Sequence, residues 1–116
     1  METDIELKEL GYYTGSEHHY KMPLFNYLYT DGIKYIQDNG YAWFITDAMV
    51  IVRSKFKDKE FICIKLTVDK EAKTAKMEIT DGNEEVLYVQ SYTYTNAKVD
   101  LTLYYTDDVL MYCREY

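Results

Sequence analysis

The spacing of apolar residues changes once along this chain, and the change predicts two layers. In the first half they recur every three or four residues. Ile33 and Ile36 share one face of a short run, and Ala42, Ile45, Ala48, Met49 and Val52 share one face of a longer run, which is the period of amphipathic helices. Thr30 or Asp31 is placed to cap the first helix, predicted through about Asp38, and Asn39-Gly40 offers the left-handed stop that ends it. The second helix ends among Arg53, Lys55 and Lys57, cations that suit a helix C-terminus. Upstream, Thr3 with Glu6 resembles a capping box for a helix ending near Gly11. Residues 12–28 keep no period and are punctuated by Gly15 and Pro23, so an irregular connection is expected there.

From residue 60 the period becomes two. Ile62, Ile64, Leu66 and Val68 alternate with Phe61, Cys63, Lys65 and Thr67, and Ala75, Met77 and Ile79 repeat the pattern. "EVLYVQSYTYT", "VDLTLYY" and "VLMYC" read as three further strands, with Asp81-Gly82, Asn96-Ala97 and Thr106-Asp107-Asp108 as turns. Five sequence-adjacent strands predict an antiparallel meander, and its apolar face needs a cover that only the helices can give. The expected architecture is therefore α+β, with N-terminal helices packed on one face of a five-stranded antiparallel sheet. A single domain spans 1–116, with 1–57 as the helical and irregular layer and 60–114 as the sheet.

Composition bounds the function. The chain has 116 residues, 47% hydrophobic and 28% charged, which suits one domain. Tyrosine accounts for 14 of its 19 aromatic residues, and a phenol fills space while asking for a wet or bonded hydroxyl. No apolar run is long enough for a spanning helix, and the start "METDIELKEL" lacks the features of a signal peptide, so a cytoplasmic protein is expected. Cys63 and Cys113, without a CxxC, read as free thiols. The net charge of −7 is uneven: residues 1–47 hold eight acids and three lysines, residues 48–76 eight basic and four acidic groups, and residues 77–116 eight acids and two basic groups. Such a balance disfavours direct nucleic-acid binding and favours steering toward a basic partner.

Few residues suggest chemistry. His18 and His19 are adjacent, and neighbours in an extended chain point opposite ways, so they do not easily share a metal. Asp31 is better placed as a cap than as an acid-base group, and Asp47 lies on the polar side of its helix. Asp81-Gly82-Asn83 begins like a calcium loop but runs into a strand. There is no GxSxG, phosphate loop or HExxH, and no histidine follows residue 19 to activate either cysteine. No catalytic residue, metal or cofactor is assigned, and the chain is not read as an enzyme. Tyr88, Tyr92 and Tyr94, with Glu84, Glu85, Asp107 and Asp108, form instead the expected partner surface, since tyrosines give contact area at little entropic cost.

Four blocks carry a resemblance: "TGSEHHYK" at 14–21, "YTDGIKY" at 29–35, "AWFITDAM" at 42–49 and "LTLYYTDDVLMYCREY" at 101–116. They are similar nearly end to end to a family of small, functionally uncharacterised bacterial, plasmid and phage proteins. That family has a YTDGVKY block, an AYWLIDAI helix and an SEY-like ending; here Lys21 replaces an arginine and His19 a tyrosine. The resemblance implies a mobile-element accessory protein in a host bacterium. The leading expectation is an inhibitor that occupies a host protein, such as a nucleic-acid-binding defence effector, through the acidic, tyrosine-rich surface. The alternative is a nucleotide or small-ligand sponge with Tyr13, His18, Tyr29, Asp31 and Trp43 around a pocket at the helix and loop junction. A structural component without ligand is a further alternative, and edge strands are compatible with a homodimer or a monomer.

Overall fold

The computed structural model describes residues 18–22, 27–83 and 85–116. The capping box at Thr3 and Glu6, together with Tyr13 and Glu84, lies outside the described residues. Two short strands open the described chain, β1 (His19–Met22) and β2 (Tyr27–Thr30), paired antiparallel with Tyr20 opposite Tyr29. Thr30 then starts helix α1 (Asp31–Ile36) by accepting a hydrogen bond from Ile33 N on its hydroxyl at 3.5 Å. A wide turn, Gln37–Tyr41, follows, in which Asn39 leaves helical geometry and Gly40 adopts φ +97°, a conformation that glycine enters without penalty. Helix α2 (Ala42–Lys55) restarts at once. The Asn39-Gly40 stop thus kinks one helical segment.

The remaining strands are β3 (Phe61–Asp69), β4 (Thr74–Thr80), β5 (Val86–Tyr92), β6 (Leu101–Thr106) and β7 (Val109–Tyr112), ending in a 3-10 turn at Cys113–Glu115. All seven strands form one sheet in the order β1-β2-β7-β6-β3-β4-β5. Every pairing is antiparallel except β2 with β7, where Leu28 faces Val109 and Tyr29 faces Leu110 in parallel.

This overturns the five-stranded antiparallel meander. The sheet is mixed, has seven strands, and does not follow chain order. Residues 19–22 and 27–30 pair as strands although the surrounding sequence has no sustained alternation. β6 pairs with β3 and leaves β5 at the edge. The cause is the character of the inward positions. Leu101, Leu103 and Tyr105 of β6 are buried, whereas β5 brings no fully buried residue to the core, its Leu87, Tyr88, Gln90 and Tyr92 being half-buried. An apolar strand gains more from two neighbours than a polar-edged one. The return from β5 to β6 is held by side chains that accept from backbone N–H groups: Tyr41 OH accepts from Lys98 N at 2.9 Å and Asp100 Oδ1 from Val68 N at 2.8 Å.

The core lies between the helices and one sheet face. Ile33, Ile36, Phe44, Ile45, Ala48, Met49 and Val52 pack over Ile62, Ile64, Leu66, Met77, Ile79, Leu103 and Leu110. Burial of each large aliphatic side chain there contributes about 1.5–3 kcal/mol. Over the opposite face, among the described residues, the C-terminal turn lays Tyr116 against Phe61 and Tyr104, and no helix packs there. No helix among the described residues is long and apolar enough to cross a membrane.

Candidate functional site

The sheet face opposite the helices is built from the outward alternates of β3, β4 and β6. Phe61, Cys63 and Lys65 of β3 stand opposite Thr106, Tyr104 and Thr102 of β6, and Cys63 and Lys65 face Thr80 and Glu78 of β4. Phe61, Tyr104 and Tyr116 meet in a three-ring cluster with centroids 5.2–5.5 Å apart and edge-on or tilted planes, a favourable geometry for aromatic quadrupoles. These rings, with Cys63, Thr80, Gly82 and Val86, wall an open groove of about 570 Å³ that has Lys65 and Glu78 at its polar end. Lys65 and Glu78 form no ion pair among the described residues. Val86 and Val89 are about half exposed beside it, and Tyr116 is 74% exposed.

Gly82 positions the β4–β5 turn against this cluster. Its φ is +85°, and an added side chain would meet the Phe61 ring at 2.7 Å. Asp81 Oδ1 closes the turn by accepting from Asn83 N and Glu85 N. Cys63 and Cys113 are free thiols, and burial pushes both upward in pKa, so neither is activated as a nucleophile.

On the helical side the polar groups hold the fold together. Glu115 Oε1 accepts from Thr30 Oγ1 at 2.6 Å and Tyr112 N at 2.9 Å, and Oε2 accepts from Gly32 N at 3.0 Å. Asp31 Oδ1 accepts from Tyr20 OH at 3.0 Å, and His18 Nδ1 lies 3.7 Å from Asp31 Oδ2. Tyr20 also stacks on Tyr29. His18, Tyr29 and Asp31 therefore gather around β1, β2 and α1. Trp43 does not join them: it packs edge-on against Tyr92 of β5, at the other end of the strand order. Tyr92 OH in turn donates to Asp47 Oδ2 at 2.9 Å.

The expected partner surface is spread over several sides. Tyr88 and Tyr92 face the helices, Tyr88 beneath Lys55 Nζ at 5.4 Å from the ring centre. Tyr94 is exposed beyond the far end of β5. Glu85 is exposed in the β4–β5 turn. Asp107 and Asp108 form the β6–β7 turn with φ +52° and +61°, a two-residue hairpin geometry that aspartate tolerates. Asp108 Oδ1 accepts from Arg53 Nη1 at 3.3 Å and Tyr105 OH at 3.1 Å, so its charge is shared with the helix terminus. Sequence reading passed over Phe61, Lys65, Glu78, Val86 and Tyr116 as a site. The signal available is the outward alternation of Phe61, Cys63 and Lys65 in β3.

Geometry and chemistry together define a class: an α+β domain whose mixed sheet is backed by helices on one side and presents an aromatic-walled groove on the other. Among the described residues no cluster of three or more histidine, cysteine or acidic groups is arranged to hold a metal. The chain belongs to a family of unknown function, DUF6876, whose model matches residues 4–116. No curated protein and no solved structure matches it. Two blocks that carried the resemblance touch each other in the fold, since Thr30 and Gly32 of "YTDGIKY" hold Glu115 of the "REY" ending.

Proposed function

We propose that the protein acts by binding a protein partner through the sheet face opposite its helices. The observation that carries this reading is the cluster Phe61, Tyr104 and Tyr116 beside the exposed Val86 and Val89. Aromatic anchors next to exposed aliphatics, with Lys65 and Glu78 at one end of the groove, are the make-up of a protein contact. Glu85 and Asp107 lie in turns at the Phe61 end of the sheet, and with the net charge of −7 they favour approach by a basic surface. In its finer form the proposal is an accessory protein of a phage or other mobile element, working in the bacterial cytoplasm as an inhibitor of a host defence protein. That part rests on the family resemblance.

The small-ligand alternative has weaker support, because Trp43 is remote from His18 and Asp31 and both of those residues are engaged with neighbours. The test is capture of partners from host cells by the wild-type chain and by Phe61→Ser with Tyr104→Ser, both verified as folded by circular dichroism. A partner retained by the wild type and lost by the double variant is expected. Equal retention by both would remove the sheet face from the account.

A further inference from the structure

We propose that the outer edge of β5 pairs with β5 of a second copy of this chain, antiparallel about a two-fold axis at Gln90. This goes beyond partner binding and rests on the β5 edge, which shares Val89 and its neighbour Glu78 with the open face described above. β5 ends the strand order, so among the described residues its outer backbone groups have no strand partner. Its sequence, VLYVQSY, has no charge and no proline. Edges that must stay single usually carry lysine, proline or a short strand. The opposite edge follows that rule, since β1 has four residues, HYKM, with an exposed lysine. In a chain of net charge −7, a charge-free edge is where two copies approach with least repulsion.

The register follows from a bulge. Pairing with β4 shifts between Ile79 and Thr80, leaving Tyr88–Tyr92 as the regular part of the strand, with Gln90 at its centre. Rotation about Gln90 sets Tyr88 against Tyr92 of the second copy and Val89 against Ser91. Both pairings keep each side chain on its own face, as a continuous sheet requires.

Charge matches on both faces. On the helical side Lys55 sits over Tyr88, while Asp47 holds the Tyr92 hydroxyl. Apposing Tyr88 with the copy's Tyr92 therefore brings a cation toward an anion, twice by symmetry. On the open side Glu78 neighbours Val89 and Lys76 neighbours Ser91, so each row across the junction runs from a carboxylate to an ammonium. A strand from an unrelated protein would need to reproduce these complements; a second copy supplies them by rotation.

The experiment is sedimentation of the full chain across a range of concentrations, with Val89→Lys and Gln90→Cys alongside. Val89 is 46% exposed, so a lysine there leaves the fold intact. The wild type is expected to reach twice the 13.8 kDa of one chain. Val89→Lys, which puts a cation in each symmetric row, should raise the dissociation constant roughly tenfold. Gln90→Cys at the axis should oxidise to a covalent dimer, while Lys57→Cys, exposed and remote, should not. A 13.8 kDa particle at every concentration, or a dimer indifferent to both β5 substitutions, overturns the inference. Gln90 pairs with the buried Met77 and so lies on the helical side, which makes the covalent dimer a readout separate from the Phe61 and Tyr104 test.

Discussion

Glu115 occupies the space where a side chain on Gly32 would begin, although 83 residues separate the two in sequence. Helix propensity alone predicts that Gly32→Ala stabilises by about 1 kcal/mol. The contact predicts the reverse, because a methyl group there pushes the carboxylate off Thr30, Gly32 N and Tyr112 N together. A net loss of roughly 1–3 kcal/mol is expected in urea denaturation. In a Glu115→Ala background the same substitution should stabilise. The same sign in both backgrounds would show that the carboxylate does not impose the glycine.

Lys73 lies in the β3–β4 turn at φ +57°, a left-handed conformation that costs an ordinary side chain energy. Its side chain is exposed, and the described interaction there is backbone, from Thr95 N to Lys73 O at 2.8 Å. Lys73→Gly should therefore stabilise by about 0.5–1 kcal/mol, read as a higher melting temperature. A lower one would mean that the lysine side chain contributes in the folded state.

Tyr41 is 2% exposed, and its hydroxyl accepts from Lys98 N in the crossing between β5 and β6. Tyr41→Phe keeps the packing and removes the acceptor. A cost of roughly 0.5–1.5 kcal/mol is expected, with faster hydrogen exchange at Lys98. Trp43 fluorescence is a suitable folding probe, since the indole packs against Tyr41 and Tyr92. Unchanged exchange at Lys98 would place the anchor of the crossing elsewhere.

Tyr27 is buried, and burial pushes its phenol up to about 12, with Tyr29 and Tyr105 adding to the shift. A phenol raised in the folded state stabilises fully below its unfolded value near 10. Above that pH the unfolded chain ionises first, so this stability is lost as pH rises toward 12. The loss from Tyr27 is on the order of 2 kcal/mol. Tyr27→Phe should flatten the alkaline decline in denaturation midpoint, and an unaltered slope would assign the decline to other groups.

The helical segment and β3 to β6 are legible in the sequence because their periods are sustained, and β7 because the Asp107-Asp108 turn sets it off from β6. β1 and β2 were not, since four residues each are too few for a period and Pro23 separates them. Strand order was not legible either. Local alternation in β5 and β6 looks alike, and only the contrast between leucines and tyrosines at the inward positions separates an edge from a centre. Of the residues that sequence groups into a pocket, His18, Tyr29 and Asp31 gather, while Trp43 packs against Tyr92 of the distant β5. Nothing local marks Glu115 as a ligand for a helix start so distant in the chain.

The parallel ladder between β2 and β7 has a kinetic consequence. Leu28 meets Val109 and Tyr29 meets Leu110, so the described sheet is completed by pairing strands from opposite ends of the described chain. That pairing brings its reward only after a long loop has lost its freedom. The protein should accordingly fold in the slow regime of non-local topologies, with the β1–β2 hairpin the last piece to dock and the first to open.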